Sequence, residues 1–260
     1  MRSLGNAIII FVCMPLYRKF LLLKLPAKYL LMRKLLFLHG ALGDKTQFKE
    51  ILAELKEFDA EAIGFEGHGM ENQGEEVAPF GMEEFARQVL QWMDSRGLEK
   101  TDIFGYSMGG YVALWLCVHY PERVGRVVTL ATKFNWTPET AAKEVKMLNP
   151  EVIEQKVPAF AQKLANIHGA QNWKAVVRKT SGMMTELGRA APLNKVSLEK
   201  VQSKVLIAVG DRDTMVSVEE SYQMYGWVPE AQFLVLPASP HALEKVPLQS
   251  LIFHIRQFFG

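Results

Sequence analysis

The sequence predicts an α/β fold, a mostly parallel central sheet flanked by helices, interrupted once by an all-helical segment. Three observations predict it. From Arg33 onward short apolar runs alternate with stretches of helical periodicity. Between Lys133 and about Val196 that alternation stops and helical character takes over. The chain has 260 residues, 49% of them hydrophobic and 22% charged, which suits one large domain with a full core and an insertion better than two unrelated domains.

In order, Lys34 to Leu38 reads as a strand. Phe48, Ile51, Leu52 and Leu55 follow at helical spacing, then a short strand near Ala60 to Phe65. Phe85, Val89, Trp92 and Met93 mark the next helix. Asp102 to Tyr106 is a strand that runs into Ser107, and Met108 to Tyr120 is a helix stopped by Pro121. Val124 to Ala131 is a β-branched strand. Helices are expected at Pro138 to Leu148, Pro158 to Ile167 and Trp173 to Leu187, strands at Lys204 to Val209 and Gln232 to Leu236. A closing helix carries Leu251, Ile252, Ile255, Phe258 and Phe259 on one stripe. The expected division is a core of residues 32–132 and 197–260, a helical cap at 133–196, and an extension at 1–31 outside the fold.

Residues 1–31 obey none of these patterns. No Asp or Glu precedes Asp44, while Arg2, Arg18, Lys19, Lys24 and Lys28 stand beside an apolar run from Leu4 to Met14. That run is shorter than the roughly 20 residues a membrane span needs. Three readings stay open: a start upstream of the functional one, which Met32 would supply; an export signal; or an amphipathic segment lying on a membrane surface. Membrane contact is expected only through this segment. Without it the chain holds 25 basic and 28 acidic residues, so no basic surface exists for phosphates and nucleic acid is excluded as a partner. Two cysteines, Cys13 and Cys117, give no disulfide framework and fit a reducing, cytoplasmic setting.

The chemistry sits in Gly105-Tyr106-Ser107-Met108-Gly109-Gly110, a G-x-S-x-G pattern between a strand and a helix. Such a turn is so tight that side chains two positions either side of the serine would collide, which explains the glycines. At the helix N-terminus the Met108 amide can stabilise a developing oxyanion. A second oxyanion element, His39-Gly40-Ala41-Leu42-Gly43, ends the first strand, and acid and histidine candidates follow in the order Ser, Asp, His.

On these residues, together with Gly67-His68-Gly69, Gly210-Asp211-Arg212-Asp213 and His241, the chain resembles the α/β-hydrolase superfamily from Arg33 to Phe259. The resemblance implies a triad of Ser107, Asp213 and His241, with the Ala41 and Met108 amides as oxyanion hole. Asp211 is the rival acid, and the G-x-x-D match favours Asp213. It implies cleavage of a small carboxylic ester, thioester or related acyl substrate through an acyl-enzyme, with the cap shaping the pocket. Carbon–carbon bond hydrolysis, lyase or perhydrolase chemistry, and a receptor-like protein with vestigial catalysis, are the alternatives on the same scaffold. His119, His168 and His254 read as solvated or packed helical residues. No zinc-ligand spacing, P-loop or G-x-G-x-x-G occurs, so neither a metal nor a cofactor is expected.

Overall fold

The computed structural model describes residues 33–70 and 80–260, and the extension at 1–31 lies outside them. Among the described residues six strands form one sheet: β1 (Lys34–Leu38), β2 (Asp59–Ile63), β3 (Thr101–Tyr106), β4 (Val124–Leu130), β5 (Val205–Gly210) and β6 (Ala231–Leu236). Every pairing is parallel, in the order β2-β1-β3-β4-β5-β6. From β1 the chain moves outward to β2, then crosses back to β3 and proceeds the other way. The crevice between the carboxyl ends of β1 and β3 is therefore the switch point at which open α/β sheets bind ligands.

Parallel strands buried on both faces need apolar residues at every position, and period two sends them to opposite sides. Leu36 and Leu38 of β1 join Ile103, Val127, Val205 and Ile207 in the core beneath α2 (Met82–Ser95) and α3 (Met108–His119). Leu35 and Phe37 join Phe104, Val128 and Leu206 in the core beneath α1 (Lys49–Glu54) and α10 (Leu248–Phe259). Each such side chain contributes on the order of 2 kcal/mol by leaving water. Helix α3 is buried at each position from Met108 to Cys117 and serves as the central strut on which Ser107 is mounted. Arg126 fastens the last helix: it pairs with Asp102 at 2.7 Å and donates to the Phe258 and Phe259 carbonyls at 2.8 and 2.7 Å.

Five helices lie between β4 and β5: α4 (Pro138–Val145), α5 (Pro150–Lys156), α6 (Pro158–His168), α7 (Trp173–Arg189) and α8 (Lys195–Leu198). Three of the five, α4, α5 and α8, start on a side-chain cap. Thr137 and Thr140 form a capping box before Pro138, and Asn149 caps a helix opened by Pro150. That second start explains why the helix expected from Pro138 to Leu148 stops at Val145. Helix α7 has two buried faces: Trp173 and Val177 pack with Ile153, Ala161 and Leu164, while Val176, Met183 and Leu187 belong to the core above the sheet. Helix α9 (Val218–Tyr225), capped by Ser217, has no counterpart among the sequence expectations. No helix among the described residues is long and apolar enough to cross a membrane.

Candidate active site

The turn after β3 places Ser107 at φ +50°, ψ −114°, a conformation that a residue with a β-carbon adopts only under strain. Its surroundings hold it there. The Ser107 amide donates to the Leu130 carbonyl at 2.8 Å, and the Thr132 hydroxyl donates to the Ser107 carbonyl at 3.1 Å. The flanking glycines are sterically required: a β-carbon on Gly105 would lie 2.5 Å from the Gly109 carbonyl, and one on Gly109 would lie 2.1 Å from the Leu38 carbonyl.

The structure brings Ser107, His241 and Asp213 together from three separate loops. Ser107 Oγ lies 3.3 Å from His241 Nε2, and His241 Nδ1 lies 2.8 Å from Asp213 Oδ2. Asp213 Oδ1 accepts from the Met215 and Val216 amides at 2.8 and 2.9 Å, and its side chain is fully buried. With Oδ1 taken up by two amides, Oδ2 faces Nδ1 as an acceptor, which makes Nδ1 the nitrogen that carries the hydrogen and leaves Nε2 facing the serine as acceptor. Tyr106 adds a tie that the sequence did not disclose, its hydroxyl donating to the His241 carbonyl at 2.9 Å. Asp211 has a different job: Oδ1 accepts from the Ser239 amide at 3.1 Å, and backbone donors at Ala238 and Ser239 hold its carboxyl below the usual range.

Ala41 and Leu42 form the centre of a turn closed by the Gly43 amide donating to the Gly40 carbonyl at 3.2 Å, with Leu42 at φ +60°. Gly40 is pressed against the end of β3, since a β-carbon there would fall 2.7 Å from the Tyr106 ring. Buried His39 accepts from the Phe65 amide through Nε2 at 3.2 Å and so donates through Nδ1 to the Gly40 carbonyl at 2.9 Å. Burial lowers its pKa to about 4, which keeps the ring neutral. His168, expected to be an ordinary helical residue, is fully buried beside this turn.

Ala41, Ser107, Met108 and His241 line one cleft, walled by Met82, Tyr111, Trp136, Met183, Met184, Met215 and Val216. It holds about 440 Å³, counting solvent at its mouth. Two charged side chains, Lys133 and Glu144, reach this lining. Lys133 Nζ lies 3.6 Å from carboxylate oxygens of both Glu144 and Glu220, so its charge is already countered. Among the described residues no cluster of three or more His, Cys, Asp or Glu is arranged to hold a metal ion.

Residues 34–182 match the family model described as the alpha/beta hydrolase fold. Among curated proteins the chain is similar to a 2-hydroxy-6-oxo-6-phenylhexa-2,4-dienoate hydrolase of Burkholderia cepacia, 27% identical over 175 residues, covering 60% of this chain and 61% of that protein. The chain therefore spans less than two thirds of the length of that relative. Among solved structures, a hydrolase of the same name from Rhodococcus sp. strain RHA1 superposes with a TM-score of 0.72 at 20% identity, over 88% of this chain and 90% of that one. A thermophilic esterase from Thermogutta terrifontis superposes with a TM-score of 0.69 at 22% identity, over 87% and 89%.

Proposed function

Because this chain belongs to the α/β-hydrolase fold family, we propose that it is a serine hydrolase that cleaves small, uncharged carboxylic esters or thioesters through an acyl-enzyme on Ser107. The observation that carries this reading is the relay of Ser107 Oγ, His241 and Asp213 at 3.3 and 2.8 Å, mounted on a strained elbow. His241 Nε2 takes the hydroxyl proton as Oγ attacks the carbonyl carbon, and the negative oxygen is received by the Ala41 and Met108 amides. Collapse expels the alkoxide or thiolate, which leaves with the proton held on Nε2. A water then adds to the acyl-enzyme by the same route, giving the carboxylic acid and restoring Ser107. The 3.3 Å contact is long for a proton-transfer pair and tightens once substrate excludes water.

A second reading, carbon–carbon bond hydrolysis, is favoured by the dienoate hydrolase name of the Burkholderia relative. A dienoate carries a carboxylate and calls for a cation in the pocket. The one lysine there stands between Glu144 and Glu220, and the remaining wall is largely Met, Trp and Tyr. This lining supports a neutral acyl group over an anionic one. The test is labelling by a fluorophosphonate together with turnover of nitrophenyl esters, a thioester and a carboxylate-bearing vinylogous diketone, with Ser107→Ala as control. Labelling and ester turnover that vanish in Ser107→Ala are expected. Labelling that survives the substitution overturns the nucleophile, and a diketone turned over faster than every ester overturns the substrate class.

A further inference from the structure

We infer that His168 is a positioning residue for the oxyanion turn, steadying the Ala41 amide from the helical insertion through a hydrogen bond to the Leu42 carbonyl. The imidazole stands at the last position of α6, where Gly169 ends the helix at φ +84° and turns the chain away. Its Nδ1 accepts from the Gly69 amide at 2.9 Å, and a ring nitrogen that accepts is unprotonated. Nε2 therefore carries the hydrogen and donates to the Leu42 carbonyl at 3.1 Å. Burial lowers the pKa of the ring and preserves that neutral tautomer.

The turn is thereby gripped on both sides of Ala41. His39 holds the Gly40 carbonyl, whose peptide carries the Ala41 amide, and His168 holds the Leu42 carbonyl in the peptide one beyond Ala41's own, so the turn is held at both ends by two imidazoles of opposite tautomer. Leu42 needs such a grip, because its φ of +60° is costly for a branched residue and relaxes if nothing opposes it. His39 comes from β1 itself. His168 comes from the helical insertion and ties α6 to two turns of the sheet, 126 and 99 residues distant in sequence.

This inference rests on the proposed role of Ser107 and Ala41, and its test separates the two. His168→Ala lowers kcat by about 10- to 100-fold, the cost of misplacing or losing an oxyanion donor, with KM little changed. Two variants that retain bulk dissect the ring. His168→Gln sets an amide nitrogen near the Nε2 position and can still donate to Leu42. His168→Asn sets an oxygen near the Nδ1 position and can still accept from Gly69, but leaves the Leu42 carbonyl unmet. Steady-state kinetics and the rate of phosphonylation by a fluorophosphonate are measured on all forms, with melting temperatures alongside. The expected result is that Gln recovers most of kcat and of the phosphonylation rate while Asn does not. Equal recovery by both, an unchanged kcat in His168→Ala, or a rise in KM in place of the loss in kcat overturns the inference. If His168→Ala does not fold, the Gln and Asn pair decides alone. Wild-type protein that resists phosphonylation removes the Ser107 reading and this one together; wild type and variants that react equally remove only this one.

Discussion

Replacing Asp213 by Asn tests the proton relay at its most constrained point. Oδ1 of Asp213 faces two backbone N–H groups, from Met215 and Val216 at 2.8 and 2.9 Å. An asparagine at this position must keep its oxygen there, because the flipped amide would aim NH₂ at two donors and leave all three groups without an acceptor. Its nitrogen is then forced to the Oδ2 position, 2.8 Å from His241 Nδ1. Facing a donor, the imidazole moves its hydrogen to Nε2, which then donates toward Ser107 and can no longer accept a proton. The two turn amides thus lock the wrong tautomer, and the expected loss is about 10⁴ in kcat, or ~5.5 kcal/mol of transition-state stabilisation. Asp211→Asn is the paired control. Asp211 is exposed, and Asn preserves its acceptor toward the Ser239 amide, so kcat changes less than about threefold and stability by less than ~1 kcal/mol. The assay is steady-state hydrolysis of a short nitrophenyl ester by both variants, with circular dichroism to confirm folding. If a folded Asp213→Asn protein keeps more than a tenth of wild-type kcat, or if Asp211→Asn is the crippled one, the tautomer argument fails.

Two further expectations concern stability. Gly109→Ala drives a β-carbon to within 2.1 Å of the Leu38 carbonyl, a backbone atom that cannot yield cheaply, and should cost ~3 kcal/mol or more, lowering Tm by about 6–12 °C; Gly182→Ala in the exposed face of α7 meets nothing within 4 Å and should raise Tm slightly. Equal melting temperatures for the two would contradict the packing described. Lowering the pH should weaken the fold before carboxylates matter, because His39 titrates near pH 4 in the native protein and near its ordinary value of 6.5 when unfolded. Between those values the unfolded chain binds more protons, so this ring's contribution is complete above pH 6.5 and declines by about 3 kcal/mol as pH falls to 4. A urea midpoint that stays constant from pH 7 to pH 4 would refute it.

Much of the architecture was legible because the determinants are local. Gly105 and Gly109 advertise the elbow, since no other residue fits between Leu38, Gly109 and Gly110, and a continuous apolar run such as Val205–Val209 has nowhere to go but a strand covered on both faces. Asp213 was distinguishable from Asp211 only by its place in the G-x-x-D turn, and the structure gives the physical difference: one side chain is buried against His241, the other exposed against Ser239. What stayed hidden depends on contacts without a local signature. Helix α9 buries only Ser221 and Met224, too few apolar positions for periodicity to declare itself. His168 answers to backbone atoms of Leu42 and Gly69, which any residue would offer, so no side-chain pattern marks the pairing; the one clue was its place just before a helix-ending glycine. Lys133 and Glu144 likewise meet across the pocket only after α4 docks.

The tie between the Tyr106 hydroxyl and the His241 carbonyl crosses 135 residues and links the strand that leads into Ser107 to the loop that carries His241. During synthesis these parts emerge far apart in time. A growing chain that has reached β5 already holds Ser107, and one that has passed Asp213 holds that carboxylate, yet neither holds His241. Not until β6 has paired along β5 and the following loop has swung back over Tyr106 does the hydroxyl of Ser107 meet His241. On the proposed mechanism, translation products that stop ahead of His241 would lack the base and be inert, so the order in which this polypeptide is made would keep Ser107 unassisted until the fold is whole.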